Sequence, residues 1–148
     1  MRLLKIVFLF AVLFGAYRWW DGKRSDELVA TAGQHSFVPV QMPNGAPEHA
    51  VLVLAPPNCP SDEAQRAEAL VQHLAEQGIP VKKGSTMSFD VVNPTAEQRA
   101  GVERAVAVFK RGAPAVFING MAMSNPTPEQ AVAEYRRTKA RRVPSISG

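Results

Sequence analysis

Reactive chemistry in this chain has one obvious carrier, the single cysteine Cys59, set in Ala55-Pro56-Pro57-Asn58-Cys59-Pro60-Ser61-Asp62. The apolar run Val51 to Leu54 precedes it and reads as a buried strand, and a helical pattern follows it. A helix opening just past Cys59 would aim its unsatisfied backbone N–H groups, those of Ser61 and Asp62, at the sulfur. Such a position lowers a thiol pKa from about 8.5 into a range of roughly 3.5 to 7.5, because the thiolate accepts those donors and meets the positive end of the helix dipole. The Asp62 carboxylate opposes this by competing for the same donors and repelling a thiolate. The competing reading is structural: a lone cysteine often fills a small apolar space at a strand end.

One cysteine in 148 residues excludes an internal disulfide and an all-cysteine metal site. If Cys59 is reactive, it must work as a monothiol, attacking a mixed disulfide and being released by an outside thiol. His35, His49 and His73 share no ligand spacing, so no metal site is expected. Neither a glycine-rich phosphate loop nor a nucleophilic-serine motif occurs. Met121 and Met123 alternate as strand residues do, which suits hairpin packing or, on the alternative reading, a partner surface near Cys59. The formal charge of +4 is misleading as a nucleic-acid signal. Arg136, Arg137, Lys139, Arg141 and Arg142 supply five positive charges, and Asp21 to Tyr135 holds nine Lys/Arg against thirteen Asp/Glu. No nucleic-acid partner is expected.

The positioning elements come next. After Cys59, Ala64, Ala67, Leu70, Val71, Leu74 and Ala75 recur at steps of three and four, giving one helix face that Gly78 ends. Pro60 takes the first helical position, where its missing N–H costs nothing, and Asp62 and Glu63 complement the helix dipole. Ile79 to Val92 reads as mostly extended, with a second strand at Phe89 to Val92. Thr95 and Gln98 form a reciprocal cap for a helix whose stripe is Val102, Ala105, Val106 and Phe109, ended by Arg111-Gly112. Ala115 to Ile118 is a strand that Asn119-Gly120 turns into a hairpin with Met121 to Met123. A last helix opens at Asn125-Pro126-Thr127-Pro128-Glu129-Gln130 and runs to about Thr138. The two N-P-T-x-E-Q stretches read as one capping solution used twice.

At the N-terminus a short basic segment leads into Ile6 to Ala16, apolar throughout, then Tyr17-Arg18-Trp19-Trp20. A signal-peptide core and a short span compete here. The lack of a good cleavage site favours an uncleaved membrane anchor over residues 1–20, with the following domain periplasmic or otherwise extracytoplasmic. Residues 21–48 read as a polar tether with an edge strand near Phe37 to Gln41, where Pro39 is tolerable. Residues 49–138 form the domain, and 139–148 a basic disordered tail with a potential for anionic lipid.

The order strand, helix, strand, helix, strand, strand, helix, the Cys-Pro opening of the first long helix, and Gly112-Ala113-Pro114-Ala115-Val116-Phe117-Ile118-Asn119-Gly120 together resemble the thioredoxin-like superfamily, glutaredoxins in particular. The resemblance covers about Ala50 to Thr138. It implies an α/β fold with a central mixed four-stranded sheet flanked by helices, and a cis Pro114 facing Cys59. It also implies a substrate groove shaped by Pro60, Ser61, Asp62, Ala113 and Pro114. The chain departs from the family where Asp62 replaces a second cysteine and Asn58 replaces a basic residue. Ser124-Asn125-Pro126 stands where a glutathione-receiving pattern is expected, so no cofactor is expected and glutathione is doubtful. Two functions follow: a monothiol thiol-disulfide oxidoreductase acting on protein thiols through Cys59, or a catalytically inactive binding module holding a partner protein at the membrane.

Overall fold

The segment Val51-Leu52-Val53-Leu54 is buried at every position, so it needs neighbours on both sides and a layer over each face. A computed structural model, which describes residues 1–31, 35–57 and 61–142, supplies them. The elements run α1 (Arg2–Thr31), β1 (Val38–Pro39), β2 (Val51–Leu54), α2 (Asp62–Glu76), β3 (Val81–Gly84), α3 (Ala96–Arg111), β4 (Ala115–Ile118), β5 (Met121–Ser124) and α4 (Pro128–Arg142). The chain divides into two compact units, one ending at Thr31 and one beginning at Ala32.

In the second unit the strands form one mixed sheet in the order β1-β5-β4-β2-β3. β2 is parallel to β3, with Val51 opposite Val81, and antiparallel to β4, with Leu54 opposite Ala115. β4 and β5 form a hairpin whose two turn residues, Asn119 and Gly120, both have positive φ, 49° and 87°. That is what a tight two-residue hairpin turn demands and what Asn-Gly accepts most readily. Because strand side chains alternate, the sheet makes two cores. Val51, Val53, Val116 and Ile118 pack against α2 and α4 through Leu70, Leu74, Ala131 and Tyr135. Leu52, Leu54 and Phe117 face Ala105 and Val108 of α3.

Local chemistry sets the helix starts. The Ser61 hydroxyl accepts from the Ala64 N–H at 3.1 Å. Thr95 and Gln98 exchange reciprocal bonds, with Thr95 N–H donating at 2.9 Å and Gln98 N–H at 3.1 Å. Thr127 and Gln130 repeat the pattern at 2.9 and 3.2 Å. Asn93 and Asn125, each before the proline of its motif, share φ of 49° and 48°. The two N-P-T-x-E-Q stretches are therefore the same local structure, as their sequences suggest.

The structure corrects the expected architecture in three places. The sheet has five strands, not four, because β1, assigned to the tether, adds to β5: Val38 lies opposite Ala122 and the Val40 N–H donates to Gly120 O at 2.9 Å. Strand β3 lies at Val81–Gly84, not Phe89–Val92. Phe89 packs with Met87 from a loop against the α3 core, and Val92 is 88% exposed. The third correction concerns the anchor: among the described residues no helix is long and apolar enough to cross a membrane. α1 is a single 30-residue helix whose second half carries Asp21, Lys23, Arg24, Asp26 and Glu27. Its unbroken apolar run, Ile6 to Ala16, spans only about 16 Å at 1.5 Å per residue, about half of the roughly 30 Å hydrocarbon core.

α4 continues to Arg142, four residues past the expected end near Thr138. The Thr138 hydroxyl accepts from the Asn119 side chain at 2.9 Å and donates to Glu134 O at 2.8 Å, tying the helix to the hairpin tip. Arg137 pairs with Glu134 in the next-to-last turn, and this hydrogen bond holds the guanidinium above its ordinary pKa against a smaller opposing effect of burial. Lys139 lies 5.9 Å from the Tyr135 ring centroid. Residues 143–148 lie outside the described residues.

On the α3 side, the chain from Pro39 to Gln41 lies across the helix. Arg104 Nε donates to Pro39 O at 2.7 Å, and a Cβ on Gly101 would meet the Gln41 backbone nitrogen at 2.8 Å. Backbone cannot yield as a flexible side chain does, so Gly101→Ala is expected to destabilise the domain by about 1–3 kcal/mol. Urea unfolding checks this: a change below about 0.5 kcal/mol, the range of a neutral surface substitution, would show that the close approach is not maintained in solution.

Candidate functional site

The end of the sheet where β2 stops and β4 starts gathers most of the residues singled out from sequence. Leu54 and Ala115 are register partners, so Ala55 and Pro114, the next residues outward, flank the same sheet end. Pro114 is fully buried and the Ala113–Pro114 peptide is cis, as the resemblance implies. Each carbonyl leading into β4 is held. Gly112 O accepts from Ser124 Oγ at 3.0 Å, Ala113 O from Arg66 Nη2 at 3.5 Å, and Pro114 O from the Asn125 N–H at 2.7 Å. The end of β5 with the residue after it, and α2, thus fix this segment from two sides of the chain, the kind of support that holds a site in one geometry.

Across from it, Ser61 is extended at φ −79° and ψ 150° and caps α2, which begins at Asp62. The first helical position is therefore Asp62, not the expected Pro60, and its N–H comes one residue later than a donor at Ser61 would require, because the Ser61 side chain caps the helix. Asp62 is exposed and Ser61 half-buried. Arg66, one turn into α2, is the residue whose guanidinium links this helix to Ala113. Sequence reasoning missed it, because an exposed helix arginine has no motif to announce a partner 47 residues away. Cys59 and Pro60, the other two members of the expected site, lie outside the described residues, and so does Asn58.

A second feature had no sequence signal. An open cleft of about 500 Å³ lies under the start of α2, lined by Val53, Ala55, Pro56, Ala64, Ala67 and Gly84 among others, with Glu68 and Lys83 forming an ion pair at its rim. It exists because α2 turns alanines, not leucines, toward the end of the sheet. Among the described residues no group of three or more His, Cys, Asp or Glu side chains could hold a metal ion. His49 serves the fold through its carbonyl, which accepts from the Tyr135 hydroxyl at 3.0 Å. Met123 is buried in the hairpin and Met121 half-buried.

No family model, no curated protein and no solved structure matches this chain.

Proposed function

We infer that the second unit is a thioredoxin-like domain that carries out thiol-disulfide exchange through Cys59. The observation that carries this reading is the α2 start: the capped, outward-facing N-terminus of α2 begins three residues after Cys59, and Arg66 of the same helix bonds the segment that ends in Pro114. In the reaction, the Cys59 thiolate attacks one sulfur of a mixed disulfide. A new S–S bond forms, the substrate S–S bond breaks, and the departing sulfur leaves as a thiolate that takes up a proton. A thiolate from a low-molecular-weight thiol then attacks the Cys59 disulfide, restores the Cys59 thiolate and completes the cycle. No second cysteine within the chain is needed, which fits Asp62 in the resolving position.

The measurement is the alkylation rate of Cys59 in the folded protein as a function of pH. Helix donors should bring the midpoint well below the roughly 8.5 of an unperturbed thiol. A midpoint at or above that value, or no reaction until the protein unfolds, overturns the redox reading. The binding-module reading, in which the same end of the domain holds a partner protein without turnover, then takes its place. Its support is the exposed Asp62 at the helix start, whose charge works against a thiolate.

A further inference from the structure

β3 ends the sheet, with β2 on one side and, among the described residues, no strand on the other. Pro80 O and Gly84 O accept from the Val51 and Ala55 N–H groups on the β2 side. Backbone groups alternate along a strand, so the N–H and C=O of Val81 and Lys83 face outward. Lysines commonly guard such an edge by extending over it. Here both are drawn away from it: Lys82 Nζ donates to Gly45 O at 2.8 Å, and Lys83 pairs with Glu68 of α2. Among the described residues, then, neither lysine end is left to extend over the outer main chain of β3.

Its two faces differ. On the α2 face, with Val81 and Lys83, lies the apolar cleft of Val53, Ala55, Ala64 and Ala67. On the α3 face lies Lys82, whose partner is a neutral carbonyl, so its charge is not neutralised by a carboxylate. An antiparallel second copy of β3 would set Lys82 or Lys83, according to register, against its own counterpart, and like charges across a strand pair are destabilising. The complement is a strand of the opposite character.

We propose that the outer edge of β3 is a strand-addition site for an extended segment of a partner protein in which apolar and acidic side chains alternate. The apolar side chains face the cleft and the acidic ones face Lys82. Main-chain bonds to Val81 and Lys83 hold the segment, while the cleft and Lys82 select it. This site uses none of the Cys59 chemistry and stands whether or not the thiol is reactive.

The test is a titration of the full chain with the capped hexapeptide Glu-Val-Glu-Val-Glu-Val, read by amide hydrogen exchange. At ten times its Kd the peptide should slow exchange at Val81 and Lys83 by about tenfold. Lys82 and Gly84, already facing β2, should not change. Lys-Val-Lys-Val-Lys-Val should give no protection, and Lys82→Glu should weaken the acidic peptide by about tenfold while the variant keeps its unfolding midpoint. Three results would each overturn the proposal: no protection at Val81 and Lys83 at millimolar peptide, equal protection by the two peptides, or protection that grows with protein concentration alone, which would identify a second copy as the occupant.

Discussion

Cys59→Ser is expected to reduce the turnover of a small-molecule mixed disulfide to the rate of buffer alone. A serine hydroxyl does not ionise near neutral pH, even beside helix N–H donors, and it cannot form or exchange an S–S bond, so the first step has no nucleophile. The complementary change is Asp62→Cys. It removes the carboxylate at the start of α2 and adds a thiol three residues after Cys59, with Ser61 still capping the helix. Under mild oxidation this variant should lose both titratable thiols as an internal disulfide, whereas the natural chain keeps its one. Turnover that survives in Cys59→Ser would remove the cysteine from the mechanism. Two thiols persisting in oxidised Asp62→Cys would mean that the positions are not close enough to exchange.

The largest expected stability effect belongs to Phe117→Ala. Phe117 is fully buried and lies opposite Leu52 on one side and Ala122 on the other. Its buried neighbours on the α3 face are Leu52, Leu54, Ala105, Val108, Ala115 and Ala122, and the ring is the largest buried side chain between the sheet and α3. Close-packed neighbours relax only in part into the space it leaves, and the loss should be about 3–5 kcal/mol. Against a total stability of about 5–15 kcal/mol, that leaves the domain marginal. Urea unfolding should show a lower midpoint with an unchanged slope. A loss under about 1 kcal/mol would mean that this face relaxes as an ordinary surface does.

Elements written in local chemistry were legible from sequence. The Val51–Leu54 run is apolar at every position, the two Thr/Gln pairs are caps that need no distant partner, and Asn119-Gly120 is a turn by its own backbone preference. What failed depended on partners far along the chain. Val81-Lys82-Lys83-Gly84 is half-buried and polar, and it becomes a strand because β2 offers it a parallel neighbour. β1 is two residues long, and its existence rests on the exposed edge of β5. The Ile6 to Ala16 run is apolar enough to suggest an anchor, but charged turns continue it within the same helix. α4 outlasted its expected end because Asn119, on another element, bonds Thr138. Of the residues expected at the candidate site, Ser61, Asp62, Ala113 and Pro114 lie at the sheet end where sequence motif suggested, with Ser61 a cap in place of a donor, whereas the Arg66 bond arises only from assembly.

The two margins of the sheet are unequal. One is sealed by β1, two residues long, in which Pro39 has no N–H to offer, and the chain from Pro39 to Gln41 is strapped to α3. The other, β3, has no strand beyond it among the described residues. Growth of sheet into ribbon or fibre requires each unit to carry two compatible margins, so that every addition recreates a site for the next. In the vocabulary of polymer chemistry this domain is monofunctional. With the proposed strand addition at β3 it would take up one strand or terminate an array, without recreating a site for the next.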